Sequence, residues 1–133
     1  MENRITPDFI KEIKDNEVFT FGSNLSGRHG KGAAKTALGW VAKWGQASGL
    51  QGKTYGIPTK DASIRRTLSL LEIKPFVDEF IEFAKNNPNL IFYVTEIGCG
   101  LAGIKPKEVA PLFIEAKEIK NIYVPAKFWH KLK

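Results

Sequence analysis

Twice along this chain a short apolar, β-favouring run gives way to a glycine-rich stretch that leads into a helical pattern. The first is Val18-Phe19-Thr20-Phe21, followed by Gly22 to Gly32; the second is Leu90 to Thr95, followed by Gly98-Cys99-Gly100-Leu101-Ala102-Gly103. Short apolar runs of this kind read as buried strands covered on both faces. Units of strand, loop and helix favour a largely parallel sheet, and such sheets take ligands beyond the carboxyl ends of their strands. Both glycine loops are expected there, which places the chain in the α/β class and fixes where a site can form.

The remaining elements fit the same plan. Thr54-Tyr55-Gly56-Ile57-Pro58 reads as a strand closed by Pro58, and Ile122-Tyr123-Val124 as a last short one. A helix is expected to start at Thr6-Pro7-Asp8, with Ile10 and Ile13 on one face. Another follows the first glycine loop, where Ala34, Ala37, Leu38, Val41 and Trp44 recur at three- and four-residue spacing. A third starts at Pro75, with Phe76, Val77, Phe80, Ile81 and Ala84 facing the core, and ends at Asn86-Asn87-Pro88-Asn89. Val109, Leu112, Phe113 and Ala116 predict a fourth, with Pro111 in its first turn or kinking it, and the tail adds a helical turn. Gly45 to Gly52 reads as a loop, and Lys60 to Thr67 as an exposed connection.

No repeat or linker divides the sequence, and 133 residues suit one domain spanning 1–133. The longest apolar run is too short to span a bilayer, and the segment MENRITPDFIKEIKDN lacks the apolar stretch of a secretion signal. With Cys99 the one cysteine, no intrachain disulfide can form, which suits a reducing cytoplasm. The net charge of +6 helps collect anions, but the lysines are scattered and Arg65-Arg66 is the one basic pair beside a loop, so a solvated basic surface is the preferred reading and a basic nucleic-acid-binding module the lesser alternative. No residues have metal-ligand spacing, and neither a metal nor a cofactor is expected.

Glycines let a backbone approach a ligand closely, and free amides at a helix start favour an anion. Two such loops on one sheet edge suit the two phosphates of a diphosphate. Neither loop has the Gly-Lys-Ser/Thr of a Walker motif, and no acidic residue stands where a dinucleotide-binding domain holds ribose, which argues against an ATPase or dehydrogenase.

Asn24-Leu25 followed by Gly30-Lys31-Gly32-Ala33-Ala34 resembles the macro domain pattern of an asparagine before a glycine loop and helix. Ile97-Gly98-Cys99-Gly100-Leu101 is similar to the diphosphate loop of one macro branch, whose members hydrolyse ADP-ribosyl bonds or dephosphorylate ADP-ribose phosphate. Tyr55-Gly56-Ile57-Pro58-Thr59-Lys60 is similar to the strand of that branch that ends in a functional lysine. The likeness runs from about Val18 to the last strand and is nearest to small macro-like proteins of bacteria and phages. It implies a three-layer α/β/α domain with a mixed, largely parallel sheet. It also implies ADP-ribose or a related NAD-derived nucleotide as ligand, and an ADP-ribosylated protein as a further partner.

On this resemblance the ligand would contact Gly22, Ser23, Asn24, Gly30, Lys31, Gly32 and Ala33 in the first loop. In the second it would contact Gly98, Cys99, Gly100, Leu101, Ala102 and Gly103. Asn24 either offers its amide to the distal ribose or caps its own loop. Lys60 is either the nucleophile of a lysine-dependent hydrolase, acting with Asn24, or a solvated cation that attracts phosphate. The acid/base aspartate of the related branch is replaced by Ala102, which cannot move a proton, and Asp61 is the nearby carboxylate. Cys99 reads either as a thiol activated by His29 or as a compact packing group, and Phe128, Trp129 and His130 either stack on a base or cap the core.

Overall fold

The computed structural model describes residues 3–100 and 102–132. Five strands, β1 (Glu17–Asn24), β2 (Gly49–Gln51), β3 (Thr54–Lys60), β4 (Ile91–Val94) and β5 (Ile122–Tyr123), form one sheet in the order β2-β3-β1-β4-β5. β1 pairs in parallel with both β3 and β4, β5 pairs in parallel with β4, and β2 runs antiparallel to β3. The helices are α1 (Gly32–Leu38), α2 (Leu70–Asn86), α3 (Pro106–Val109), which continues as a 3-10 segment over Ala110–Glu118, and α4 (Ala126–Leu132). This is the α/β fold with a mixed, largely parallel sheet. No described helix is long and apolar enough to cross a membrane.

Alternation along the central strands divides the core in two. Val18, Phe92 and Val94 join a large cluster with α2, the 3-10 segment and α4, while Phe19, Phe21 and Tyr93 face a smaller cluster with Ala34 and Ala37 of α1. Phe80 is the hub of the larger cluster, with ring contacts to Tyr55, Phe92 and Phe113.

The predicted N-terminal helix does not form. Residues 3–14 run extended or irregular, Ile5 bridges Val124, and the Thr6 amide donates to the Val124 carbonyl at 2.8 Å. Buried Arg4 donates to the carbonyls of Ala116, Lys117 and Ile122 and lies over the Trp129 ring. These contacts with the end of the sheet override the local helical pattern, although Ile13 is buried as expected.

The helix after the first loop stops at Leu38, short of the predicted face. The Ala42 amide bonds the Ala37 carbonyl and the Val41 amide bonds the Leu38 carbonyl, the paired bonds of a helix C-terminal turn. Val41 accordingly adopts left-handed backbone (φ 73°), a position that ordinarily falls to glycine. Val41 and Trp44 are therefore exposed rather than packed in the core.

Three further boundaries move. β2 lies inside the predicted Gly45 to Gly52 loop. Pro58 sits within β3 instead of closing it, tolerated because the register with β1 shifts between Ser23 and Asn24. Pro75 lies inside α2, which starts five residues earlier, at Leu70, behind a capping box of Ser69 and Glu72. Pro111 falls in the 3-10 segment, where Phe113 departs from helical geometry, so the predicted fourth helix is broken as its proline required. Phe128 and Trp129 are buried in the core, so the tail caps it.

Two stability predictions arise. Val41→Gly should relieve the left-handed strain and, after the added freedom of the unfolded chain, raise stability by about 0.5–1 kcal/mol in urea unfolding. Glu72 accepts two hydrogen bonds from Arg66, and with its Ser69 contacts these hold its carboxyl down at about 2, against an ordinary 4.5. A depressed carboxyl stabilises above its unfolded value and loses that contribution as pH falls from 4.5 towards 2. Melting temperatures measured through that window should fall less steeply for Glu72→Gln than for the wild type.

Candidate functional site

The topology makes a cleft at one sheet edge. Neighbouring parallel strands β1 and β4 both end there. The chain leaving β1 turns to α1 and the smaller core, whereas the chain leaving β4 turns to α3 and the larger one. Loops that depart to opposite faces leave a crevice between them. It is a cavity of about 720 Å³ walled by both glycine loops, the end of β3 and Trp44.

Gly22 marks the place where these parts meet. A Cβ built there would lie 3.5 Å from both the Gly98 nitrogen and the Thr59 hydroxyl. Gly98 has φ +79°, and a side chain would press on Ile104, so glycine is required where the second loop turns. Gly30 and Gly100 instead face open space: a Cβ at Gly30 would meet only Trp44, at 3.9 Å, and one at Gly100 would meet nothing within 4 Å. The first amides of α1 have no intrahelical acceptor, and Lys31 at its start supplies no side-chain cap.

Of the sequence-expected residues, Gly22, Ser23, Asn24, Gly30, Lys31, Gly32 and Ala33 line the cleft from one side. Gly98, Gly100 and Ala102 line it from the other, and Lys60 from the end of β3. Cys99 and Gly103 stand back from this wall, and Leu101 lies outside the described residues. Sequence reading missed Arg28, Trp44, Thr59, Ile64, Thr95 and Glu96 as wall residues. Arg28 and Thr59 lie within segments already singled out, the first glycine loop and the strand that ends at Lys60, whereas the fold brings Trp44, Ile64, Thr95 and Glu96 to the wall.

The Asn24 side chain is engaged within its own loop. Its Nδ2 donates to the Arg28 carbonyl at 2.8 Å, and its Oδ1 accepts from the Ser26 hydroxyl (2.7 Å) and the Arg28 amide (3.0 Å). That carboxamide shapes the bend carrying Arg28. The Ser23 hydroxyl donates to the Ala47 carbonyl, and the Leu25 amide to the Lys60 carbonyl at 2.9 Å, which ties the bend to its surroundings. Across the cleft, the Thr67 hydroxyl donates to the Ala102 carbonyl at 2.7 Å and anchors the second loop.

Lys60 Nζ reaches the Ile64 carbonyl at 3.5 Å, a weak tether that leaves the amine at the cleft wall. Asp61 turns elsewhere: its carboxylate accepts from the Ser63 hydroxyl and the Arg66 amide, and these bonds hold it below the usual carboxylate range. Arg66 is bound to Glu72, so the Arg65-Arg66 pair does not act as a unit on the cleft. Arg28, Lys31 and Lys60 bring positive charge to the wall, against Glu96, which pairs with Lys127 at 3.5 Å.

Cys99 and His29 do not form a nucleophilic pair. Cys99 packs against the larger core, its thiol pushed up by burial and by Glu96, and its Sγ faces the Ile97 carbonyl. His29 is fully buried, with Nε2 at 3.1 Å from the Gln51 Oε1 and its ring between Phe21 and Trp44. A raised thiol without a base is the packing group, not the activated nucleophile.

No family model and no curated protein matches the chain. Among solved structures, it is similar to a protein of unknown function from Bacteroides thetaiotaomicron, at 17% identity and a TM-score of 0.60. The match covers 86% of this chain and 90% of that one, a likeness of fold.

Proposed function

We propose that the cleft binds ADP-ribose or a related NAD-derived nucleotide, with its diphosphate between the two glycine loops, in the manner of a macro domain. The observation that carries this reading is that two loops far apart in sequence, Gly22 to Gly32 and Gly98 to Gly103, wall one cavity of about 720 Å³, large enough for a nucleotide. Gly30 and Gly100 leave their backbone open to the space, so main-chain amides can reach an anion without a side chain between. Arg28, Lys31 and Lys60 supply charge of the right sign. The resemblance of the Gly98-Cys99-Gly100-Leu101 segment to a diphosphate loop points to the same ligand.

ADP-ribose added in calorimetry should give a saturable heat. In thermal unfolding it should raise the melting temperature as expected for a ligand of the folded state, about 2.7 kcal/mol at a hundred times its Kd. No heat and no shift at millimolar ADP-ribose would refute the proposal.

A second reading, hydrolysis of an ADP-ribosyl bond or of ADP-ribose phosphate, is favoured by one observation, the Lys60 amine at the cleft wall. The methyl group of Ala102 offers no acid or base, and Asn24 acts through the shape of its loop. Binding without turnover is therefore the better-supported function. If Lys60 is a nucleophile, Lys60→Ala should lower turnover of an ADP-ribosylated protein at least a hundredfold. Equal rates for the two proteins, or none for either, would leave Lys60 as a phosphate-attracting cation.

A further inference from the structure

We propose that Trp44 is the stacking wall for the heteroaromatic base of the nucleotide, an inference that rests on the binding function proposed above. Trp44 is 63% exposed, yet it lines the cleft beside the open backbone of Gly30. An isolated exposed indole needs no explanation, but this one is held in place from beneath. The fully buried His29 ring meets it edge-on, with centroids 6.3 Å apart and planes at 74°, and His29 in turn stands edge-on to Phe21 at 5.2 Å.

A hydrogen-bond network fixes that support. Gln51, also buried, donates through Nε2 to the carbonyls of Gln46 and Gly49, which makes its Oε1 the acceptor. Oε1 accepts from the Lys43 amide at 2.8 Å, and so His29 Nε2, 3.1 Å away, must carry the proton it shares. One carboxamide thus sets the tautomer of the ring beneath Trp44 and pins the residue before it in the chain. The indole is held ready at small cost to its freedom, as a binding surface requires.

The neighbouring charge narrows what stacks there. Arg28, Lys31 and Lys60 line the same cleft, so a ring meeting Trp44 belongs to a molecule that also carries phosphate. A nucleoside diphosphate joins those two features through a sugar. Stacking on an aromatic side chain tolerates any base, because each presents a π face. A neighbouring cavity of about 550 Å³ shares Ala33, Thr95 and Glu96 with the cleft and includes Phe9, 86% exposed. Phe9 has no such supporting ring or network among the described contacts, which is why the inference settles on Trp44.

Calorimetry with ADP-ribose, and with inorganic pyrophosphate as a competitor, separates ring recognition from phosphate recognition. Trp44→Ala should weaken ADP-ribose at least about fivefold, the lower end for one stacked base, and leave pyrophosphate competition unchanged. Trp44→Phe should retain most of the affinity. Trp40 is only partly exposed and Trp129 is buried, so ADP-ribose should change the emission of the wild type, and that change should vanish in Trp44→Phe. Equal affinity for ADP-ribose in Trp44→Ala would overturn the inference, as would equal losses for both ligands or a loss on Phe9→Ala in its place. ADP-ribose binding that ignores Trp44 would leave the binding function standing, whereas no binding by the wild type would remove both.

Discussion

β1 is hydrogen-bonded on both sides by parallel neighbours, and every other part of the molecule is placed relative to it. Because β3 lies to one side and β4 to the other, the chain must cross the sheet between them, and α2 makes that crossing. Alternate residues of β1 then serve different cores: Val18 faces α2 and the 3-10 segment, and Phe19 and Phe21 face α1. A one-residue slip of this strand would exchange the two sets and empty both cores. The cleft is a consequence of the same register, since it lies where β1 and β4 end side by side and their loops part.

The site built on this frame relies on backbone more than on side chains. Asn24, Ser23, Thr59 and Thr67 turn their polar groups onto loop carbonyls and amides and give the loops shape. Glycine backbone faces the cavity from both loops, with Trp44 beside it and Arg28, Lys31, Lys60 and Glu96 also in the wall. Open backbone and positive charge in the wall are the features on which the proposed binding of an extended anion rests.

Much of this was legible in the residues. The buried strands announced themselves through apolar runs, and the glycine loops through their composition, because both are local properties. The ends of helices were harder. Spacing alone extends α1 to Trp44, but a C-terminal turn closes it at a valine in a glycine conformation, contrary to propensity. Ser69-Leu70-Leu71-Glu72 carried a readable start signal for α2 that the more conspicuous Pro75 obscured. The N-terminal segment could not be read locally, since its conformation is set by residues more than a hundred positions away. Because α1 ends at Leu38, Trp44 reads as core in the sequence and stands on the cleft in the fold.

Arg4 has one more implication, for how the molecule comes together. Among the described residues no carboxylate pairs with its buried guanidinium; three carbonyl oxygens from the region of Ala116 to Ile122 and the face of Trp129 surround it. During synthesis those acceptors emerge from the ribosome long after Arg4 itself. The contacts of Arg4 therefore form only after the segment from Ala116 to Ile122 has been made, 112 to 118 residues further along the chain.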